Sequence, residues 1–283
     1  MKAKSGVREL ELRAVQRLPR GTHATKAPAN EAMAMLFRRG LQPETTSADL
    51  PFPCSLPDSP ADRLSQWLGH YAFRLFLRGA IRLSDGFRPA DTTKYLDRAQ
   101  ARTYAEVLVD LGLAARVSRD VYRLKWQARN FGGVLEWFVG RELELRYGFK
   151  VATGVRLHIR GGGGDLDVVA AAEGKLIYIE LKSSPPRNLA ASGMAAFCDR
   201  LNLLRPDVSL FVVDTALRLS DKVVPMLLEE FRRRKYAVDQ PARIAAQLWA
   251  LTPHVYVVNG SRDLMANIMK AITAGLQALS PHI

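Results

Sequence analysis

Along the second half of the chain the apolar positions change their period several times. Residues 164–170 alternate polar and apolar before turning apolar (Gly164, Asp165, Leu166, Asp167, Val168, Val169, Ala170), and residues 175–180 are rich in branched and aromatic side chains. Both segments read as strands. Glu173 and Gly174 between them are a short turn signal, so the run reads as a hairpin. Around it the spacing predicts helices over 131–149, 188–204, 221–235 and 264–279, with apolar strands over 208–214 and 255–258. Strands separated by helices of this length predict an α/β core with a mixed sheet.

The first half is organised differently. Seven prolines fall between Pro19 and Pro60 and the periodicity is weak, so residues 1–60 are expected to form an irregular arm with a short helix near 30–39. Over 61–128 the pattern predicts three helices, at 64–78, 91–96 and 98–111, the last stopped by Gly112. Two short strands, 114–117 and 121–124, then flank Ser118, Arg119 and Asp120 as a second hairpin. Residues 129–283 form the remaining part, and no internal repeat is evident.

The first hairpin carries the candidate chemistry. With a two-residue loop Ala172 faces Lys175, Asp167 faces Glu180 and Asp165 faces Lys182; a four-residue loop gives the same pairing. Residues two apart on a strand share a face, so this register puts Asp165, Asp167, Glu180 and Lys182 on one side. Two opposed carboxylates repel unless something neutralises them, and a hard divalent cation uses one or two carboxylates together with water and phosphate oxygens. Lysine nearby is a compact cation for a water or a phosphate. The competing reading is of ordinary exposed ion pairs, against which Val168, Val169, Ile177 and Ile179 indicate strands buried on both faces.

In order, spacing and apolar flanks these residues resemble the PD-(D/E)xK nuclease superfamily, with its restriction-endonuclease-like fold. The resemblance covers about residues 131–283. It implies metal-dependent phosphodiester hydrolysis with Mg2+ or Mn2+, in which Asp167 and Glu180 ligate the ion and Lys182 orients the water or stabilises developing charge. Glu136, on the preceding helix, would assist metal binding. Leu166 stands where the family's name has a proline. Glu136 has Gly132, Gly133, Val139, Gly140 and Leu143 at helical spacing, an apolar setting that suits a functional carboxylate, although an acid in the first turn of a helix also answers the helix dipole. Gly161 to Gly164 could let a strand of nucleic acid approach, or could simply join two strands.

Three helices followed by a hairpin with a basic tip resemble a winged helix-turn-helix, which implies DNA contacts from Arg98 and Arg102 at the start of the third helix and from Arg119 on the wing. Such modules also bind proteins, and Arg98 and Arg102 are equally i,i+4 neighbours on a solvated face. Charge favours a polyanionic partner: 41 Lys and Arg against 28 Asp and Glu give +13. Residues 1–130 hold 22 basic and 13 acidic groups, residues 131–283 hold 19 and 15, so the first half is the more basic surface. The run Arg232, Arg233, Arg234, Lys235 reads either as a phosphate grip or as a solvated helix end.

Two cysteines, Cys54 and Cys198, are too few for a zinc site or a disulfide framework, and the five histidines lack ligand spacing. No segment reads as a signal peptide or as a span of roughly 18 apolar residues, so a cytoplasmic protein with no membrane partner is expected. The sequence therefore points to a metal-dependent nuclease with DNA ahead of RNA as partner. One site cuts one strand, so a homodimer is also expected. The alternative is a nucleic-acid-binding regulator or assembly protein that keeps the fold without catalysis.

Overall fold

The computed structural model describes residues 30–280 apart from 47, 54, 84, 159–164 and 239. Gly161 to Gly164 and Cys54 thus lie outside the described residues, as does the arm up to residue 29. In chain order the elements are α1 (Glu31–Arg38), β1 (Pro43–Thr45), α2 (Asp58–Gly69), α3 (Tyr71–Arg82), α4 (Arg98–Asp110), β2 (Ala114–Ser118), β3 (Val121–Leu124), α5 (Gly132–Tyr147), β4 (Lys150–Leu157), β5 (Leu166–Ala172), β6 (Lys175–Lys182), α6 (Ala191–Leu204), β7 (Val208–Val213), α7 (Val223–Arg233), β8 (Ala242–Ala245), β9 (Leu248–Thr252), β10 (Val255–Asn259) and α8 (Leu264–Leu279).

Eight strands form one mixed sheet in the order β1-β4-β5-β6-β7-β10-β9-β8. The pairs β6/β7 and β7/β10 are parallel and the others antiparallel, so the expected α/β core with a mixed sheet is present. Each parallel step is made through a helix, α6 or α7, as a crossover requires. The central strands are apolar on both faces because both are covered. Val168, Ala170, Ile177 and Ile179 pack with α5, while Val169, Ala171, Leu176 and Tyr178 pack with α1 and α6.

The short helix expected near 30–39 is present as α1, but the segment is no irregular arm: α1 packs on this sheet and residues 43–45 join it. Asn30 caps α1 by accepting from the Met33 N–H at 3.1 Å and its Nδ2 donates to the Val151 carbonyl at 2.7 Å, while β1 pairs with β4 at the sheet edge. Strand β4 itself had no clear signal, because Gly154 interrupts its alternation with φ +56°, a left-handed backbone that a side chain would resist. Ala152 and Val155 consequently face the same cluster although three residues apart.

The helical part differs from expectation in two places. The helix expected over 64–78 is two helices, broken at His70, whose ψ of 120° is extended. The short one expected over 91–96 is a single 3-10 turn, Pro89–Asp91. Helix α4 and the hairpin β2/β3 lie where expected. These elements enclose an aromatic cluster, in which Phe73 meets Tyr104 edge-on at 5.3 Å, Trp67 and Phe76 flank the pair and Phe87 packs on Phe76.

A buried ion pair anchors this helical part to the sheet. Arg74 on α3 is fully buried; its Nε donates to Asp214 Oδ1 at 3.0 Å and its Nη1 to the Leu68 and Gly69 carbonyls at 2.6 and 3.1 Å. Arg78, one turn on, holds Asp214 Oδ2 at 2.8 Å. Asp214 follows β7, and its N–H donates to the Lys182 carbonyl at 2.8 Å. The basic run at the end of α7 is likewise structural, since Arg234 joins Glu230 to Asp199 of α6 at 2.6 and 2.7 Å. Cys198 is buried, and burial pushes its thiol up to about 12.

Removing one member of a buried pair strands the other charge, so Asp214→Ala is expected to cost about 3–5 kcal/mol in urea unfolding, and the double change Arg74→Met with Asp214→Leu to recover most of it. A midpoint for Asp214→Ala within about 0.5 kcal/mol of the parent would count against this account.

Candidate active site at the end of β6

The β5/β6 register runs from Ala172 opposite Lys175 to Val168 opposite Ile179, as the two-residue turn at Glu173 and Gly174 requires. One step further, Asp167 lies across from Glu180. Past that last rung the Asp167 carboxylate takes over from the backbone, its Oδ2 accepting the Leu181 N–H at 2.6 Å. The side chain is thereby fixed at the strand end, half-buried.

Glu180 is 1% exposed in a strand otherwise apolar between Leu176 and Leu181, Lys182 excepted. A buried charge needs partners, and it has three. Arg200 Nη1 donates to both oxygens, at 2.9 and 2.7 Å, Lys182 Nζ donates to Oε1 at 2.5 Å, and the Tyr178 hydroxyl donates to Oε2. Tyr178 keeps its proton because burial, and then the Glu180 charge, push its phenol well above the usual range. Lys182 remains 28% exposed, the most open part of this network.

Arg200 was left unassigned by the sequence. It sits on α6 three positions after the buried Phe197 and four before the buried Leu204, so it falls near the apolar stripe that faces the sheet. A cation there was the available signal.

Glu136 enters from the second turn of α5, half-buried, its carboxylate oxygens close to the backbones of Gly132 and Gly154: a Cβ on either glycine would stand 3.8 or 3.9 Å from them. Burial, followed by the charges of Asp167, Asp165 and Glu180, pushes its carboxyl up to about 8, with Lys182 opposing. Asp167 is pushed up to about 7 by burial and then Glu180, opposed by Lys182, by the Leu181 N–H and by Arg200. Asp165 behaves differently. It is bound by Arg156 of β4, at 3.0 and 3.4 Å, rather than by Lys182.

Among the described residues no three His, Cys, Asp or Glu side chains form a ready metal cage. The carboxylates of Glu136, Asp167 and Glu180 share one electrostatic field, and only Glu180 is fully neutralised by the protein. Asp167 and Glu136, two acids raised by burial and then by neighbouring carboxylates, are the donor set that a hard cation bound also by water and phosphate oxygens would suit. Arg98, Arg102 and Arg119 are exposed on α4 and on the β2/β3 turn, apart from this site in the chain and with no contact to it recorded among the described residues.

No protein-family model matches the chain, and no curated protein matches it in sequence. Solved structures do. Protein VC1899 from Vibrio cholerae superposes with a TM-score of 0.52 at 14% identity, over 86% of this chain and 62% of that one. The likeness is one of fold. Can2 from Sulfobacillus thermosulfidooxidans, solved in complex with cyclic tetra-adenylate, gives a TM-score of 0.46 at 17% identity over 85% of this chain and 60% of its own. This chain therefore spans about six-tenths of the length of each. Among the described residues no helix is long and apolar enough to cross a membrane.

The raised carboxyls have a sign. The folded protein holds protons on Asp167 and Glu136 that the unfolded chain, with values near 3.8 and 4.5, has already released, so these two groups lower stability as pH rises from about 4 to about 8. In chelator, Asp167→Asn and Glu136→Gln are each expected to flatten the fall of the melting temperature between about pH 5 and pH 8. Curves as steep as the parent's in both variants would refute the assignment.

Proposed function

We propose that this chain is a metal-dependent nuclease of the PD-(D/E)xK type that hydrolyses phosphodiester bonds, with DNA ahead of RNA as substrate. The observation that carries the reading is the gathering of Asp167, Glu180 and Lys182 at one end of the β5/β6 hairpin, with Glu136 brought into the same field from α5. Asp167 and Glu136 would hold Mg2+ or Mn2+, joined by Glu180 if its own cations give way. The ion supplies Lewis-acid polarisation of the phosphoryl group and a nucleophile near neutral pH.

The chain's own groups have separate tasks. Lys182 Nζ, partly exposed beside Glu180, is in position to orient the attacking water or to receive charge developing on a phosphate oxygen. Arg200 is a positioning residue: its two contacts fix the Glu180 carboxylate. Asp167 and Glu136, pushed toward neutrality, can exchange protons near pH 7 when no ion is bound. The winged-helix-like unit would add DNA contacts through Arg98, Arg102 and Arg119, and a dimer would cut both strands.

One observation favours the second reading, a nucleic-acid-binding regulator without catalysis. Glu180 is already saturated by Arg200, Lys182 and Tyr178, which leaves it no free oxygen for a metal. The two readings separate on plasmid and on labelled single- and double-stranded oligonucleotides of DNA and RNA, with Mg2+, Mn2+ or chelator. The nuclease reading expects metal-dependent cleavage that Lys182→Ala lowers by about 100-fold or more while oligonucleotide binding is kept. Binding with no cleavage under any metal favours the regulator, and cleavage indifferent to both chelator and Lys182→Ala rejects the site.

A further inference from the structure

Between the helical part and the sheet lie two cavities, of about 610 and 450 Å3. Leu75, Arg78 and Pro185 line both, so they are two stretches of one groove. It opens beyond the carboxyl ends of the parallel strands β6 and β7, where ligands of open α/β sheets bind. Its larger stretch includes Ser183 and Ser184, the two residues that follow Lys182.

The two stretches differ in chemistry. The larger carries Arg78, Arg82 and Arg129 and no acid among its described lining; Arg82 and Arg129 are exposed. The Nε of Arg78 is buried without a hydrogen-bond partner among the described residues. The smaller stretch has Tyr71, Tyr95 and Leu217 with Arg187, and its one described acid, Asp214, is already bound by Arg74 and Arg78. Tyr95 is 70% and Leu217 57% exposed. An exposed ring and an exposed aliphatic side chain on the rim of one pocket form an unfilled apolar face. Basic side chains tracking a groove, with an aromatic platform at its end, are the equipment that holds a nucleic-acid backbone and stacks a base.

We propose that this groove is the nucleic-acid path of the protein: Arg82 and Arg129 hold phosphates beside Lys182, and the Tyr71/Tyr95 pocket takes one unpaired base of the same chain. The proposal rests on the nuclease reading for the identity of its occupant and not for the occupancy itself. It gives the protein a single-strand path in the cleft, separate from the contacts proposed for the exposed start of α4. Gly79 makes the cleft's floor possible. A Cβ there would meet the Thr92 carbonyl oxygen at 2.0 Å, so α3 can lie directly on the 3-10 turn that brings Tyr95 to the pocket.

The test is fluorescence anisotropy in chelator with a labelled oligothymidylate of about 12 nucleotides, a length within the usual single-strand site size, and with a blunt duplex of equal length. Arg82→Glu and Arg129→Glu are each expected to weaken oligothymidylate binding about 10-fold beyond Arg243→Glu, an exposed charge reversal on the edge strand β8, and to lower the salt slope by about 0.7 per lost phosphate contact. Tyr95→Ala, at an exposed position, is expected to weaken it about 5- to 10-fold with the slope unchanged and to leave duplex binding as it was. Groove variants that bind like Arg243→Glu, a Tyr95→Ala effect equal on duplex, or no binding by the parent at low salt would each overturn the proposal. Binding through the groove with no cleavage in any metal would sink the nuclease reading and leave the groove standing. Cleavage with Kd unchanged in the groove variants would do the reverse.

Discussion

Arg74 is the constraint on which the arrangement depends. A guanidinium with no exposed surface must find its counter-charge inside the protein, and it finds Asp214, 140 positions later, on the loop that leaves β7. The pairing decides how α3 lies against the sheet and therefore where the groove opens. Asp214 also reaches the backbone of Lys182 through its N–H. The same residue thus ties one wall of the groove to the end of the strand that carries Glu180 and Lys182. Arg78 takes its second oxygen and presents the rest of its guanidinium to the groove.

The second constraint is the burial of Glu180. Strand β6 is apolar on both faces because α5 covers one and α6 the other, so a carboxylate in it is either answered or neutral. The protein answers it with Arg200 and Lys182. That solution has a consequence for its neighbours. Burial and then the Glu180 charge push the Asp167 carboxyl up against the opposing Lys182 and Arg200, and burial and the neighbouring acids push up Glu136. The site therefore holds one ion-paired acid and two raised ones, Asp167 from the hairpin and Glu136 from α5.

What was legible in the sequence followed from local rules. The turn at Glu173 and Gly174 set the β5/β6 register, the alternation placed Glu180 and Lys182, and the helix patterns gave α4, α5 and α8 within a residue or two. What was not legible depended on distance or on backbone detail. Strand β4 is hidden by the left-handed Gly154, and β8 is a short edge strand with little burial to enforce a pattern. The helix near 30–39 was legible, but residues 43–45 were not, because β1 has only three residues and exists through its pairing with β4. The Arg74 and Asp214 pair joins segments that carry no common local signal. Arg200 was half visible, on the stripe of its helix, but its partner lies on another element. Asp165 was placed opposite Lys182 by extending the ladder, and the ladder ends before it; Arg156, on the other neighbouring strand, is nearer.

The same contacts bear on how a metal ion would be received. A divalent ion held by Asp167 and Glu136 would lower both raised carboxyls, because a nearby positive charge favours the ionised form. Lys182 is the more exposed of the two cations on Glu180, 28% against 16% for Arg200, so it is the one freer to move. Arg200, which donates to both oxygens from α6, keeps Glu180 oriented. The contrast between a fixed arginine and a freer lysine is thus a result of burial, and it falls at the strand end from which the chain runs directly into the cleft lining at Ser183 and Ser184.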